Sequence, residues 1–246
     1  KDAPAYPRAE GRWRTLSVYD TTGDDRTGFD AGRGHRGFSY LEHRWEPAAA
    51  WRFDVEANVF SDRGVHREYD EDDLRTHKDR ETYGRVRWRE GGTTATATAG
   101  LRVRDFVTES FAQPEVAVAS ESIPVGQLPG LPGLDLSSEV RAGRWVRRFD
   151  EDLATDGYEA WRVDVLERLH FPFDVGDLRV SPFLGGRWTG YTDRSDGGDD
   201  VHRGAMEAGV RGNLQFWRDF GVYGGPWNLD GLRHVVDVDV GGYARF

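Results

Sequence analysis

The sequence predicts an all-β fold, an antiparallel up-and-down transmembrane β-barrel of which this chain supplies a partial arc of about 10–12 strands. Three observations carry that expectation. Residues 51–60, WRFDVEANVF, alternate without an error between apolar Trp51, Phe53, Val55, Ala57 and Val59 and polar Arg52, Asp54, Glu56 and Asn58. Successive strand side chains point to opposite faces, so this segment has one oily face and one charged face. Segments of this kind recur at about 9 to 12 residues, a length that suits strands crossing a bilayer better than the shorter strands of globular proteins. Finally, the polar faces are heavily charged while the apolar faces include Ala, Gly and Thr. Such residues fill a close-packed core poorly, whereas acyl chains flow around them.

The elements follow in order. RWRTLSVY (12–19) presents Trp13, Leu16 and Val18 in imperfect phase, GHRGFSYLEHRW (34–45) is weaker, and AAWRFDVEANVF (49–60) is the cleanest. ETYGRVRWRE (81–90) sets Val86 and Trp88 against Arg85, Arg87 and Arg89. TATATAGLRVR (94–104) sets Ala95, Ala97, Ala99, Leu101 and Val103 against threonines, Arg102 and Arg104. LSSEVRAGRWV (136–146) is mediocre, and YEAWRVDVLERLHF (158–171) slips phase near Leu166 as a bulge would. DLRVSPFLGGRWTGY (177–191), AMEAGVRGNLQF (205–216) and HVVDVDVGGYARF (234–246) complete the alternating set. No helical period of similar quality appears.

Connections come in two sizes. EPA (46–48), GGT (91–93) and PFDVG (172–176) are short; 20–33, 61–79, 105–133 and 193–200 are long. Outer-membrane barrels keep short turns on one rim and long loops on the other. Strict alternation then requires a further strand in EVAVASESI (115–123), which places PVGQLPGLPG (124–133) on the short-turn rim and brings the total to eleven. Single-chain bacterial barrels favour even counts. Eleven strands in a chain that opens with Lys1 are therefore expected to be a fragment of a larger barrel, forming one domain over 1–246. Trp13, Trp45, Trp51, Trp88 and Trp188 sit near strand ends, where an aromatic girdle belongs. Phe246 is either the terminal aromatic that ends many such barrels or an accidental end point.

Composition narrows the function. No apolar run approaches the roughly 20 residues of a membrane helix. A formal charge of −10 argues against a nucleic-acid surface, and the absence of cysteine removes disulfides and thiolate metal sites. The histidines show no metal spacing, the acidic runs YDEDD (69–73) and DGGDD (196–200) lack the spaced oxygens of a calcium loop, and no Gly-x-Ser-x-Gly elbow occurs. No enzyme, cofactor or metal is expected. The alternation assigns Arg52, Asp54, Glu56, Arg85, Arg87, Arg89, Arg102, Arg104, Glu207, Arg211, Asp237, Asp239 and Arg245 to a wet lumen. It assigns Trp51, Phe53, Val55, Val59, Trp88, Leu101, Val103, Val210, Leu214, Val236, Val238 and Val240 to lipid. Most of the lumen charges are expected to pair across strands and stabilise the wall.

Three stretches in order add a resemblance. NVFSDRGVHREYDEDD (58–73) carries Ser61 and Asp62 at a strand end before an acidic loop. KDRETYGRVRWRE (78–90) leads through Asp79, Glu81 and Thr82 into a strand, followed by RVRDFVTES (102–110). GLRHVV (231–236) carries Arg233 and His234. Together they resemble the LptD or organic solvent tolerance family, the lipopolysaccharide-assembly proteins of the Gram-negative outer membrane, over about residues 35 to 246. The region after Leu-Arg-His reads DVDV where that family usually places a proline, and its periplasmic jellyroll has no counterpart here. The resemblance implies a cell outer-membrane barrel that takes part in lipopolysaccharide transport to the outer leaflet. Its implied partners are lipopolysaccharide, a plug lipoprotein of the LptE type and the periplasmic bridge proteins of the same pathway. For the motif residues a structural role is expected, in loop capping and lumen hydrogen bonds. The alternatives are a porin-like or substrate-specific channel and a secreted soluble β-domain that binds carbohydrate.

Overall fold

The computed structural model describes residues 6–21, 34–69, 81–127, 133–192, 200–224 and 229–246. The strands are β1 (Arg8–Asp20), β2 (Gly34–Ala48), β3 (Trp51–Phe60), β4 (Tyr83–Glu90), β5 (Thr93–Gly100), β6 (Glu109–Gln127), β7 (Gly133–Arg148), β8 (Tyr158–His170), β9 (Phe173–Val175), β10 (Leu178–Tyr191), β11 (Val201–Gly224) and β12 (Leu229–Arg245). The one helix among the described residues is α1 (Val65–Tyr69). The strands form a single antiparallel sheet in chain order, with β9 off the path and paired to β10. The sheet is not closed. All eleven expected strands are present, including the one inferred from loop parity. Two-residue turns at 91–92 and 176–177 begin with Gly91 at φ +57° and Gly176 at φ +61°, a left-handed conformation that costs glycine nothing.

Several boundaries need correction. The strand expected over 115–123 runs over Glu109–Gln127 and takes in the first part of the connection expected at 124–133. The strand expected over 94–104 ends at Gly100. Beyond it the Arg102 guanidinium donates to the carbonyls of Arg104, Asp105, Val107 and Phe149, and this draws 101–108 out of the ladder. Leu101, Arg102, Val103 and Arg104 therefore occupy an irregular segment rather than alternating strand positions. The last hairpin is longer than 205–216 and 234–246 suggested, because an Asp219–Arg233 pair and the stacking of Arg233 on Trp217 carry the ladder past the point where alternation fades. The connection PFDVG contains β9, and α1 breaks the expected loop 61–79. Of the expected connections 20–33, 61–79, 105–133 and 193–200, residues 22–33, 70–79, 128–132 and 193–199 lie outside the described residues, Asp79 among them.

In β3 burial runs opposite to that of a soluble sandwich, whereas in the last hairpin Arg211, Asp237 and Asp239 are exposed along with the valines. Val59 is 50% exposed and Val240 68%, whereas Asn58 is 0% exposed and Glu207 4%. Trp51, Val55, Val210, Val236 and Val238 are exposed as well, and Phe53, Trp88 and Leu214 are half-buried. The register pairs Trp45 with Phe53 and Trp51 with Trp88 on the apolar face. Arg44 opposes Asp54, and Glu42 opposes Glu56, on the polar face.

The chain divides into two compact units. The first comprises Lys1–Ala119, Val140–Asp164 and Gly190–His202; the second comprises Ser120–Glu139, Val165–Thr189 and Arg203–Phe246. In the first unit Phe38, Tyr40, Phe60 and Val65 form a small core against Leu16 and Phe106. Close strand approach there depends on Gly37, where a methyl group would collide with the Leu16 carbonyl oxygen. Gly37→Ala is expected to lower stability by about 1–3 kcal/mol, read as a lower urea midpoint.

Candidate functional site

The densest polar construction in the first unit starts from Arg36 in β2, which is 3% exposed. A buried guanidinium needs partners for its five donors. Arg36 Nε and Nη2 grip both oxygens of Asp62 at 3.0 and 2.9 Å. Nη1 donates to Asp20 and to Glu68, each at 2.8 Å. These acids come from the end of β1, the turn after β3, and α1, so a single cation gathers three chain segments. The Arg36 guanidinium also lies over the Tyr69 ring at 5.9 Å.

Asp62 does a second job. Its Oδ1 accepts from the amides of Gly64 and Val65, both at 2.9 Å, and so caps the amino end of α1. Ser61 Oγ donates to Asp62 Oδ2 at 2.7 Å and accepts from the Gly37 amide at 2.9 Å. Burial pushes the Asp62 carboxyl up. The hydrogen bonds from Arg36, Ser61 and Val65, with the Arg36 charge, outweigh that push and hold it below the usual carboxylate range. A carboxyl depressed by folding contributes stability that is present above its unfolded value and lost as pH falls through the native one. Acidification below about pH 4 is therefore expected to speed hydrogen exchange at the Gly64 and Val65 amides, after correction for intrinsic rates. Asp62→Asn should show fast exchange already at neutral pH.

A second cluster lies beside it. Asn58, in β3, receives Thr82 Oγ1 as acceptor for its amide at 3.0 Å, and its side chain donates to Glu56 Oε1 at 3.1 Å and to the Glu81 carbonyl. The Glu81 amide reaches Glu56 Oε1 at 3.3 Å. Four of the motif residues, Ser61, Asp62, Glu81 and Thr82, thus meet at one end of β3 and β4, all in bracing roles. Asp62, Glu81 and Thr82 border a cavity of about 570 Å³ that Phe60, Arg104 and Trp145 also line. Arg63 ties the same rim together by gripping Asp150 at 3.0 Å and Asp152 at 2.8 Å.

The other expected lumen charges are mostly paired. Arg52 and Arg44 both bind Asp54, at 2.8 and 3.1 Å. Arg85 donates to Thr98 at 3.2 Å and lies on the Tyr83 ring, and Arg104 binds Glu109. Arg87 opposes Arg52, and Arg89 opposes Thr94. In the second unit Glu207 takes both Arg168 and Arg245, Asp239 accepts from Asn213 at 2.8 Å, Asp237 accepts from Gln215 at 2.7 Å, and Arg211 lies over Phe183. Arg233 and His234 do not begin a strand: both sit within β12, on opposite faces, opposite Asp219 and Arg218.

Sequence reasoning missed Arg36. Its signal is the spacing Arg36, Phe38, Tyr40, a charge sharing a face with two aromatics. It also missed a Ser137–His170 contact of 3.1 Å. Among the described residues no hydrogen bond reaches the other His170 ring nitrogen, so the pair lacks the orienting group of a nucleophilic triad. No cluster of His, Asp or Glu among the described residues has metal-binding geometry. The geometry is that of a braced polar wall with a rim cavity. Comparison of the chain with protein-family models and with curated proteins finds no match.

Proposed function

We propose that this chain forms part of an outer-membrane β-barrel taking part in the delivery of lipopolysaccharide to the outer leaflet, its charged face lining an aqueous passage and its apolar face meeting hydrocarbon. The observation that carries the membrane half is the inverted burial of β3, with Val55 and Val59 exposed and Glu56 and Asn58 buried. A lipid solvent makes that distribution favourable, and water makes it costly. The transport half rests on the sequence resemblance, supported by the convergence of Ser61, Asp62, Glu81 and Thr82 at one rim. An anionic sugar head crossing such a passage meets arginines able to grip phosphate with two donors, and a plug lipoprotein of the LptE type would share the lumen.

Two readouts test this. The chain reconstituted in vesicles of brominated lipid is expected to show strong tryptophan quenching; a chain that stays in the aqueous phase, unquenched, overturns the membrane reading in favour of a soluble domain. In cells, a photo-crosslinker at Arg87 is expected to capture lipopolysaccharide and one at Val55 is not. Insertion with ion conductance and no lipopolysaccharide adduct would indicate a channel instead.

A further inference from the structure

Strand β4 sets Arg85, Arg87 and Arg89 on the charged face of the first unit, two residues apart. The neighbouring β5 answers each with a hydroxyl: Arg85 opposes Thr98, Arg87 opposes Thr96 and Arg89 opposes Thr94. Threonines bring no negative charge. On the other side of β4, Arg87 opposes Arg52 and Arg85 opposes Asp54. Asp54 is already held by Arg52 and Arg44. Among the described residues no carboxylate pairs with the side chain of Arg85, Arg87 or Arg89.

The register fixes the spacing. The Arg89 amide donates to the Ala50 carbonyl, and the Leu101 amide to the Thr82 carbonyl, each at 2.8 Å. Hydrogen-bonded pairs recur at every second residue of an antiparallel ladder. Arg52 and Arg87 are therefore such a pair, with Cα atoms about 5.5 Å apart, and Arg87 and Thr96 are the closer kind, about 4.5 Å apart. Arg85, Arg87 and Arg89 follow one another at steps of about 6.8 Å. Like charges directly opposite repel, so the row favours a counter-ion. Arg85 Nε donates to Thr98 Oγ1 at 3.2 Å; the hydroxyl, accepting there, keeps its own proton to donate. Arg85 and Thr98 also border the rim cavity of about 570 Å³, which Arg67 lines as well. The cationic track thus runs from that cavity towards the turn at 91–92.

We propose that this row binds small tetrahedral dianions of the phosphate class, free inorganic phosphate and soluble phosphate monoesters. One guanidinium fork takes two oxygens, and the opposed threonine hydroxyl donates to a third. A carboxylate offers two oxygens and one charge, and chloride offers no directed acceptor, so neither matches the pair. Equal steps suit a small anion that passes from one fork to the next, whereas a lipid-anchored head is held at one point. The assignment goes beyond the delivery of lipopolysaccharide and needs from that reading only a wet charged face.

The test is equilibrium dialysis of labelled inorganic phosphate against the full chain in a zwitterionic detergent, at low ionic strength and about pH 8, where phosphate is a dianion. Wild type is expected to bind phosphate and to yield it to chloride only in large excess. Arg87→Ala should weaken binding about tenfold. Arg87→Lys, which keeps the charge and loses the fork, and Thr96→Val, which keeps the shape and loses the hydroxyl, should each show a smaller loss. Arg12→Ala, which removes an arginine paired with Glu42, should bind as wild type does. Equal binding by wild type and Arg87→Ala, or displacement by chloride at parity, overturns the site. Insertion is followed separately by tryptophan quenching from brominated lipid. A chain that inserts without binding phosphate loses this site and keeps the barrel; one that binds phosphate and stays in the aqueous phase keeps the site and loses the barrel.

Discussion

Arg36→Ala is expected to destabilise the protein by about 3–5 kcal/mol, the cost of breaking a buried ionic cluster from one side. Removal of this guanidinium strands Asp20, Asp62 and Glu68 together, three acids that now face one another without their shared cation. The loss should appear twice: as a lower urea midpoint of the vesicle-embedded chain, and as new proteolytic cleavage within 61–69, where α1 loses both its cap alignment and its Glu68 tether. Arg36→Lys separates charge from geometry. An ammonium keeps the positive charge but cannot grip both Asp62 oxygens while reaching two further acids, so the variant should fall between wild type and alanine. Unchanged midpoint and cleavage in Arg36→Ala would show that α1 is held by packing of Val65 alone.

The second large effect is a charge placed on the apolar face of β3. Val55 lies mid-strand in β3, 43% exposed, opposite His43 in β2 and Gly84 in β4. On the proposed reading, which sets this face in hydrocarbon, Val55→Arg is expected to cost about 2–4 kcal/mol and to slow insertion into vesicles. Were this face wet, the same change would fall within about 0.5 kcal/mol and would improve solubility. Arg87→Ala, on the charged face of the adjoining strand, serves as the control and should change stability little. Equal midpoints for Val55→Arg and wild type would rule out a lipid contact there.

The alternation of β3 was legible because each residue agreed with its neighbour, and loop parity located β6 without a clear pattern of its own. The failures have physical causes. Residues 34–40 read weakly because β2 carries Phe38 and Tyr40 on its polar side, where Phe60 and Val65 cover them; the two faces exchange character within one strand. α1 spans five residues, too few for a helical period to register, and it exists through the Asp62 cap and the Glu68–Arg36 contact rather than through propensity. Residues 101–104 continued the alternation on paper, yet Arg102 spends its donors on four carbonyls. A one-dimensional pattern cannot distinguish an arginine that looks into a passage from one that clamps backbone. The same limit explains the apparent phase slip near Leu166: Trp161 with Thr192 and Phe171 with Pro182 keep one register, so Glu167 stays in phase with Val165 as a carboxylate on the apolar face.

The ion pairs differ in their exposure to dissolved electrolyte. Arg12–Glu42 and Arg233–Asp219 have side chains roughly half exposed, within reach of counter-ions that at about 0.1 M already screen beyond 10 Å. The Arg36 knot is closed to them. Raising ionic strength should therefore relax the last hairpin and the Arg12–Glu42 region of β1 while the fold around α1 keeps its form, held by covalent length and one sequestered cation, indifferent to the salinity of the surroundings.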